Sequence, residues 1–251
     1  MKQNQLNQFF QEHPKAALAF SGGVDSAYLL WAGIQAGAQI QPYFIQTAFQ
    51  PQFELEDAKR LAKQLNVTVF FMKLDILSVD AVAQNPKNRC YFCKQALFSA
   101  LKKQAEEDGF SLLLDGTNAS DDDSDRPGMR VLKELDVCSP LRECGLTKEE
   151  IRRYSQEAGL FTWDKPAYAC LATRVETGRT ITEDLLEKVE YGEEQLFKLG
   201  FSDFRIRLFY EAARIQLPAK QFLQAVEQRK EICEGLAPWF SEVFLDLKER
   251  R

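Results

Sequence analysis

The stretch that decides the fold is Ala16-Ala-Leu-Ala-Phe20 followed by Ser21-Gly22-Gly23-Val24-Asp25-Ser26. A short apolar run that stops at two glycines, followed by helically spaced apolar residues up to Gln35, predicts a strand, a turn and a helix. Glycine lets the backbone adopt positive φ angles and approach a ligand closely, and the N–H groups that open a helix bind anions. The stretch therefore predicts a phosphate-binding loop.

Polar side chains of this loop can extend the anion site. Ser21 and Ser26 can add hydroxyl donors, and Asp25 can hold Mg²⁺ against the phosphates. The Gly-Lys-Ser/Thr ending of a Walker loop is missing, and the loop does not match the Gly-x-Gly-x-x-Gly turn of dinucleotide-binding proteins. The alternative interpretation is a glycine-rich turn between a strand and a helix that binds nothing.

Strands alternate with helices in the first part of the chain. The sequence predicts further strands at 40–46, 67–72 and 111–115, and helices at 55–65 and 91–107. This alternation is typical of βαβ units, so we expect an α/β fold with a mostly parallel sheet, helices on both faces, and ligands at the carboxyl ends of the strands. Thr147 and Glu150 form a predicted capping box that begins a helix reaching residue 158.

The pattern changes near residues 161–166. Beyond this point the sequence predicts a helix at 183–198, strands at 204–209 and 212–217, a helix at 219–235 and a strand at 241–247. Such an order is typical of a smaller α+β domain. We therefore expect two domains, one at 1–165 and one at 166–251.

Composition narrows the classes of protein. The chain has 251 residues, 45% of them hydrophobic, which is enough for a large core and excludes a disordered chain. The net charge of −5 disfavours binding to nucleic acid. Neither a membrane span nor a signal peptide is recognisable, so we expect a cytoplasmic protein without a membrane partner. The single histidine, His13, precedes the first strand, and this rules out a Ser/His/Asp triad.

Six cysteines are too few for a disulfide framework, so their positions decide their roles. Cys90 and Cys93 lie in Arg89-Cys90-Tyr91-Phe92-Cys93-Lys94, at the predicted start of a helix, where thiolates are stabilised. Cys170 has cations on both sides, at Lys165 and Arg174, which also favours a thiolate. By spacing alone, Cys90 and Cys93 could be buried small hydrophobes or a redox pair. The remaining cysteines are expected to have no functional role: Cys138, Cys144 and Cys233.

The hexapeptide at 21–26 resembles the PP-loop of ATP pyrophosphatases, a group that includes NAD and GMP synthetases, argininosuccinate synthetase and tRNA thiolases. Further motifs make the resemblance more specific, because the chain from about residue 14 to 217 is similar to the LarE family. That family consists of ATP-dependent sulfur transferases that make the nickel-pincer cofactor of lactate racemase. The motifs that carry this resemblance lie at 21–26, 89–94, 115–118, 126–128, 139–141, 163–166, 169–171 and 174.

The resemblance implies an enzyme that adenylylates a carboxylate of pyridinium-3,5-biscarboxylic acid mononucleotide and replaces its oxygen with sulfur. Cys170 matches the family's sulfur-handling cysteine. In some members this cysteine gives up its own sulfur and becomes dehydroalanine. In members with an additional Cys-x-x-Cys pair, three thiolates hold a 4Fe-4S cluster with one open iron. Because Cys90 and Cys93 are present, the resemblance favours a cluster held by Cys90, Cys93 and Cys170 over the sacrificial mechanism or tetrahedral zinc.

Five residues match family positions for substrate binding: Lys94, Arg174, Glu193, Arg205 and Arg207. Arg205 and Arg207 alternate along one predicted strand, so both project from one face and could clamp a single phosphate. The resemblance also implies a homo-oligomer, and it assigns substrate binding, sulfur transfer and oligomerisation to the domain at 166–251.

Other functions stay open on the sequence. The chain reads Val175-Glu176-Thr177 where the family usually has Pro-Tyr-Gly, and this departure bears on the identity of the substrate. A tRNA thiolase is disfavoured by the acidic charge and by the expected lack of an RNA-binding module. An ammonia-dependent amide synthetase and a nucleotide-binding regulator without catalysis are further alternatives.

Overall fold

The computed structural model describes residues 2–121 and 127–250. Arg126, part of the motif at 126–128, lies outside these residues. The chain divides into two compact units. The first consists of Met1–Ile76 and Asn88–Lys165, and the second of Leu77–Lys87 and Pro166–Arg251.

The secondary structure follows the chain in this order. The helices of the described residues are α1 Lys2–Glu12, α2 Val24–Gln35, α3 Gln52–Leu65, α4 Asp80–Ala83, α5 Arg89–Glu107, α6 Pro127–Glu134, α7 Pro140–Glu143, α8 Lys148–Glu157, α9 Glu183–Lys198, α10 Phe222–Glu227 and α11 Arg229–Leu236. The strands are β1 Lys15–Ala19, β2 Gln39–Gln46, β3 Phe70–Lys73, β4 Leu113–Leu114, β5 Arg205–Phe209, β6 Ala212–Gln216 and β7 Val243–Leu245.

The first unit is built on a parallel sheet of four strands in the order β3-β2-β1-β4. Strand β1 pairs with β2 from Lys15↔Gln39 to Ala19↔Tyr43, and with β4 at Leu18↔Leu114. Parallel pairing requires crossover connections, which helices provide here. The predicted α/β class is confirmed, and β1 lies in the interior of the sheet, directly before the glycine loop.

Alternate residues of β1 enter two different hydrophobic cores. Ala16 and Leu18 pack into a core that also contains Leu29 of α2 and Ile151 of α8. Ala17 faces the opposite side, in a core with residues of β2, α5 and α6: Tyr43, Ile45, Phe98, Met129 and Leu132. Both faces of the sheet are therefore covered by helices, as expected for a parallel sheet with successive side chains on opposite faces.

The second unit contains a sheet of three strands in the order β5-β6-β7, with β5 and β6 antiparallel and β6 and β7 parallel. Helix α9 packs against β5. A Cβ atom on Gly192 of α9 would lie 2.9 Å from Cδ1 of Ile206, so the small residue permits this close contact. Ile206 and Leu208 are buried, and the alternate residues Arg205 and Arg207 belong to the other face of the strand.

Several sequence-based predictions differ from the structure. The continuous helix predicted at 219–235 is wrong: the segment forms a 3₁₀ turn at Ala219–Gln221 and two helices that meet at Gln228. The buried amide of Gln221 donates to the carbonyl of Ser202 at 2.7 Å and accepts from its N–H at 3.1 Å, which holds the turn apart from the helices. Strand β4 is also shorter than predicted, with two residues.

No helix within residues 2–121 and 127–250 combines the length and the apolar character needed to cross a bilayer.

Candidate active site

The predicted phosphate loop connects β1 to α2 in the first unit. Gly22 has a φ angle of +70°, a left-handed conformation that glycine adopts without strain. A Cβ atom at this position would lie 3.2 Å from the backbone nitrogen of Ala58 in α3. The backbone angle and the close approach of a neighbouring helix therefore both favour glycine at position 22.

The two serines of the loop hold it in shape. Their hydroxyl oxygens, Oγ of Ser21 and Oγ of Ser26, lie 3.1 Å apart. The Ser21 oxygen accepts a hydrogen bond from the N–H of Gly23, and the Ser26 hydroxyl donates to the carbonyl of Gly23 at 3.2 Å. The loop is thus fixed at the N-terminus of a helix, a location where backbone N–H groups favour anions.

A second loop, which follows β4, lies against the phosphate loop. A Cβ atom on Gly116 would be 3.1 Å from the backbone nitrogen of Ser26. The neighbouring Asp115 is 5% exposed, and it accepts hydrogen bonds from the hydroxyls of Thr117 and Ser139. These bonds satisfy the buried carboxylate and fix the loop beside the helix that carries Ser26.

Asp25 is held by an amide and by an ammonium group. Its Oδ2 atom is 2.5 Å from Nζ of Lys148, which belongs to α8, and its Oδ1 atom accepts from the amide of Asn118 at 3.4 Å. Burial raises the pKa of Asp25 above its ordinary value, although the charge and hydrogen bond of Lys148 oppose this shift. The lysine thereby compensates an acidic charge beside the phosphate loop.

A cavity of about 660 Å³ in the first unit joins this loop to the predicted thiol segment. Ser21, Asp25 and Ser26 of the phosphate loop line one side of the cavity, and Cys90 and Lys94 of α5 line another. A Cβ atom on Gly128 would be 2.7 Å from Cδ of Lys94, so the glycine at 128 leaves room for the lysine stem. The cavity volume is within the range of sites for small molecules.

Cys90 and Cys93 lie in the first turns of α5. Residues three apart on a helix lie on the same face, so the two thiols are neighbours. Cys90 is exposed and Cys93 is half-buried. The side chain of Arg89 is buried over the ring of Phe49, and its Nη2 atom lies 3.8 Å from Sγ of Cys90. The segment thus presents the thiol of Cys90 and the ammonium group of Lys94 to the cavity.

Cys170 lies in the second unit, directly before a 3₁₀ turn at Leu171–Arg174, and is half-buried. Arg174 and Glu193 are both buried and form an ion pair with 2.8 Å between Nε and Oε1. Two of the five residues that match family substrate positions are therefore bound to each other in this unit.

Arg205 and Arg207 lie on one face of β5, as predicted. Nε of Arg205 is buried and has no hydrogen-bond partner among the described residues. Arg207 donates to the side chain of Gln216 at 2.7 Å and to the carbonyl of Thr173 at 2.9 Å. Burial lowers the pKa of both arginines, and the charges of surrounding arginines lower it further. This cationic cluster would be stabilised by an anion.

The structure does not support the iron–sulfur cluster that the resemblance implies. The described residues contain no group of three or more His, Cys, Asp or Glu side chains suited to a metal ion. For Mg²⁺, Asp25 could supply one oxygen ligand, and the phosphates of ATP usually provide others. Both metal assignments stay predictions.

Sequence reasoning missed Lys148. It lies 123 residues from Asp25 along the chain, and the motif beside it predicts only a helix cap. A lysine at the start of a helix carries no pattern that points to a distant carboxylate, so its role emerges only from the tertiary structure.

The fold and the loop define the class of protein. A parallel sheet with the Ser-Gly-Gly-Val-Asp-Ser loop at the end of an interior strand is the arrangement expected of a PP-loop ATP pyrophosphatase. In agreement, the chain is 28% identical over 155 residues, or 57% of its length, to argininosuccinate synthase of Haloarcula marismortui, of which it covers 37%.

Two further relatives extend over most of the chain. An uncharacterised protein of Synechocystis is 38% identical over 90% of this chain and 85% of its own length. Pyridinium-3,5-bisthiocarboxylic acid mononucleotide synthase of Lactiplantibacillus plantarum is 31% identical over 81% of this chain and 75% of its own length. No family model matches the chain. On the similarity to the Lactiplantibacillus enzyme, the chain belongs to the LarE family.

Proposed function

We propose that this chain is an ATP-dependent sulfur transferase that converts a carboxylate of pyridinium-3,5-biscarboxylic acid mononucleotide into a thiocarboxylate, in the biosynthesis of a nickel-pincer cofactor. The observation that carries the proposal is the shared cavity of the phosphate loop, Cys90 and Lys94 in a chain of this family. The name of the Lactiplantibacillus relative supports the substrate class.

The first step is adenylylation. The loop at 21–26 binds the phosphates of ATP, and a substrate carboxylate oxygen attacks the α-phosphorus. The bond between the α-phosphorus and the bridging oxygen breaks, and pyrophosphate leaves. Loop N–H groups and Lys94 favour the negative charge that gathers on the phosphates. Mg²⁺, when bound with ATP at Asp25, would supply further charge neutralisation.

The second step is sulfur transfer through Cys170. Its thiolate attacks the acyl carbon and expels AMP, which leaves a thioester. Removal of the Cys170 α-proton then breaks the bond between Cβ and sulfur, and this yields the thiocarboxylate and dehydroalanine. Alternatively, a hydrosulfide that comes from another source and is held with the help of Cys170 attacks the same carbon, and Cys170 keeps its sulfur. In both cases the acyl oxygen departs with AMP.

The second unit supplies cations for the substrate phosphate. Arg205, with its buried Nε group, and the neighbouring Arg207 are suited to a phosphate monoester, since an oxyanion would provide the missing acceptor. We also propose that 166–251 contains the sulfur-transfer and substrate-binding functions, and that the protein forms a homo-oligomer.

The proposal is tested by incubating the purified chain with ATP, Mg²⁺ and the biscarboxylic mononucleotide. We expect substrate-dependent pyrophosphate release and a product in which one oxygen is replaced by sulfur. Cys170→Ser should release pyrophosphate without forming this product, and Cys233→Ser, at an exposed cysteine of α11, should behave like the wild type. Thiocarboxylate formation by Cys170→Ser at the wild-type rate, or no pyrophosphate release with substrate, would contradict the proposal.

The intact mass after turnover distinguishes the two sulfur sources. Loss of the mass of H₂S from the peptide that contains Cys170 indicates the sacrificial mechanism. With sulfide added as the sulfur donor, an unchanged mass over repeated cycles indicates a catalytic carrier. A tRNA thiolase or an amide synthetase would instead act on tRNA or on ammonia, and only the latter would tolerate loss of all three thiols at 90, 93 and 170.

A further inference from the structure

The segment that contains Cys170 is tied to a buried ion pair. The side chain of Arg174 is 0% exposed and that of Glu193 is 2% exposed. Two parallel contacts join them, from Nε to Oε1 at 2.8 Å and from Nη2 to Oε2 at 3.2 Å. This two-pronged geometry is the strongest that arginine forms with a carboxylate, and each charge neutralises the other.

The remaining nitrogen of the guanidinium group is directed to the backbone around the cysteine. Nη1 of Arg174 donates to the carbonyl of Ala169 at 2.7 Å and approaches the carbonyl of Cys170 at 3.3 Å. The Cys170 carbonyl also accepts from the N–H of Thr173 at 3.0 Å and from its hydroxyl at 2.9 Å. Three donors therefore converge on the carbonyl of the cysteine itself.

Glu193 is anchored in turn by two other elements. It accepts a hydrogen bond from the N–H of Ile206 in β5 at 3.1 Å and from the hydroxyl of Tyr168. The ring of Tyr168 also lies against the guanidinium group of Arg174, 4.6 Å from its carbon. The pair thus joins α9 and β5 to the residues on both sides of Cys170.

We propose that Arg174 and Glu193 are positioning residues for the Cys170 thiol and that they do not contact the substrate. The inference rests on the proposed function, in which Cys170 attacks the acyl carbon. A thiolate must lie close to that carbon along a defined line, and a displacement of about 1 Å is costly for such reactions. The ion pair holds the backbone of residue 170 in place, and other cations bind the phosphate and carboxylates of the substrate.

Glu193→Gln and Glu194→Gln form a matched pair for the test. Glu194 lies next to Glu193 on α9, but its ion pair with Lys198 is exposed. We expect Glu193→Gln to lower the single-turnover rate constant of sulfur transfer by about tenfold or more, with the half-saturating concentration of the mononucleotide within about twofold and pyrophosphate release retained. Glu194→Gln should match the wild type. A substrate-binding role would raise the half-saturating concentration of the mononucleotide instead, and this result would overturn the inference.

Alkylation of Cys170 gives a readout that does not need turnover. The rate at which iodoacetamide modifies Cys170, measured by peptide mass relative to exposed Cys233, should increase in Glu193→Gln because the released segment opens to solvent. An unchanged alkylation rate together with an unchanged single-turnover rate constant would overturn the inference.

A second variant covers the case in which Glu193→Gln does not fold. Tyr168→Phe removes a single hydroxyl from the network, and we expect smaller changes of the single-turnover rate constant and of the alkylation rate in the same directions. Wild-type behaviour of a folded Tyr168→Phe variant would then count against the inference. If the wild type forms no thiocarboxylate, the proposed function fails, whereas the alkylation rates still report whether the pair positions Cys170.

Discussion

Gly22 illustrates how one residue can be required for two reasons. Its φ of +70° favours glycine, and an added Cβ atom would make a tight contact of 3.2 Å with the backbone nitrogen of Ala58. Gly37 provides a natural comparison, because its φ is +79° and an added Cβ would meet no atom within 4 Å. A comparison of substitutions at these two glycines therefore separates the cost of backbone strain from the cost of steric contact.

We expect Gly22→Ala to abolish ATP-dependent pyrophosphate release and to destabilise the protein more than Gly37→Ala. Left-handed backbone at a non-glycine residue costs about 1 kcal/mol at either position. At Gly22 the contact with Ala58 adds to this cost and displaces the loop. Urea unfolding and a pyrophosphate assay measure the two effects. Equal activity of the two variants would show that the close approach at Gly22 does not matter for the nucleotide site.

At the scale of elements, the start of α8 connects a helix cap to the nucleotide site. The hydroxyl of Thr147 accepts from the N–H of Glu150, and the carboxylate of Glu150 accepts from the N–H of Thr147 at 2.9 Å, which completes the predicted capping box. Lys2 of α1 adds an ion pair to Glu150 at 2.7 Å. The first residue of this helix is Lys148, which contacts Asp25.

We expect Glu150→Gln to lower the free energy of unfolding by about 1 kcal/mol at neutral pH. The hydrogen bond from Lys2, followed by that from Thr147, lowers the pKa of Glu150 to about 2. Because this folded pKa is below the ordinary value of 4.5, the stabilisation is fully present above pH 4.5 and disappears as the pH falls toward 2. The difference in the free energy of unfolding between Glu150→Gln and the wild type, measured by urea unfolding, should decrease over the same pH range.

Glu149→Gln is the control for this experiment. Glu149 is exposed and lies in the same first turn of α8, but it has no part in the capping box. The difference in the free energy of unfolding between Glu149→Gln and the wild type should not change comparably between neutral and acidic pH. A constant difference between Glu150→Gln and the wild type from pH 7 to pH 2 would contradict the assignment.

The sequence was most informative where local rules decide the structure. The strand, loop and helix around residues 21–26 and the cap at Thr147 depend on residues close together in the chain, and both were predictable. The 3₁₀ turn at Ala219–Gln221 was not, because it depends on the bonds between Gln221 and Ser202, which is distant in the sequence. For the same reason the contact of Lys148 with Asp25 and the burial of Arg174 against Glu193 needed the folded chain.

For the whole molecule, the two units hold different parts of the proposed chemistry. The first unit contains the phosphate loop, Lys148 and the cavity that Cys90 and Lys94 line. The second contains Cys170, the nearby ion pair of Arg174 and Glu193, and the cationic face of β5. The segment Leu77–Lys87 also groups with the second unit, where the side-chain amide of Asn85 donates to the carbonyl of Glu176 at 2.9 Å.

Ligands for the two parts should therefore protect different segments of the chain from hydrogen exchange. We expect a non-hydrolysable ATP analogue to slow exchange at 20–26 and 115–121, because a bound nucleotide stabilises the state that binds it. Inorganic phosphate at low concentration should instead slow exchange at 205–216, near the buried Nε of Arg205. In Gly22→Ala the first effect should be lost and the second kept, and Arg205→Gln should show the reverse. Protection of 205–216 by the ATP analogue, without any at 20–26, would place the nucleotide in the wrong unit and contradict the assignment of the PP-loop.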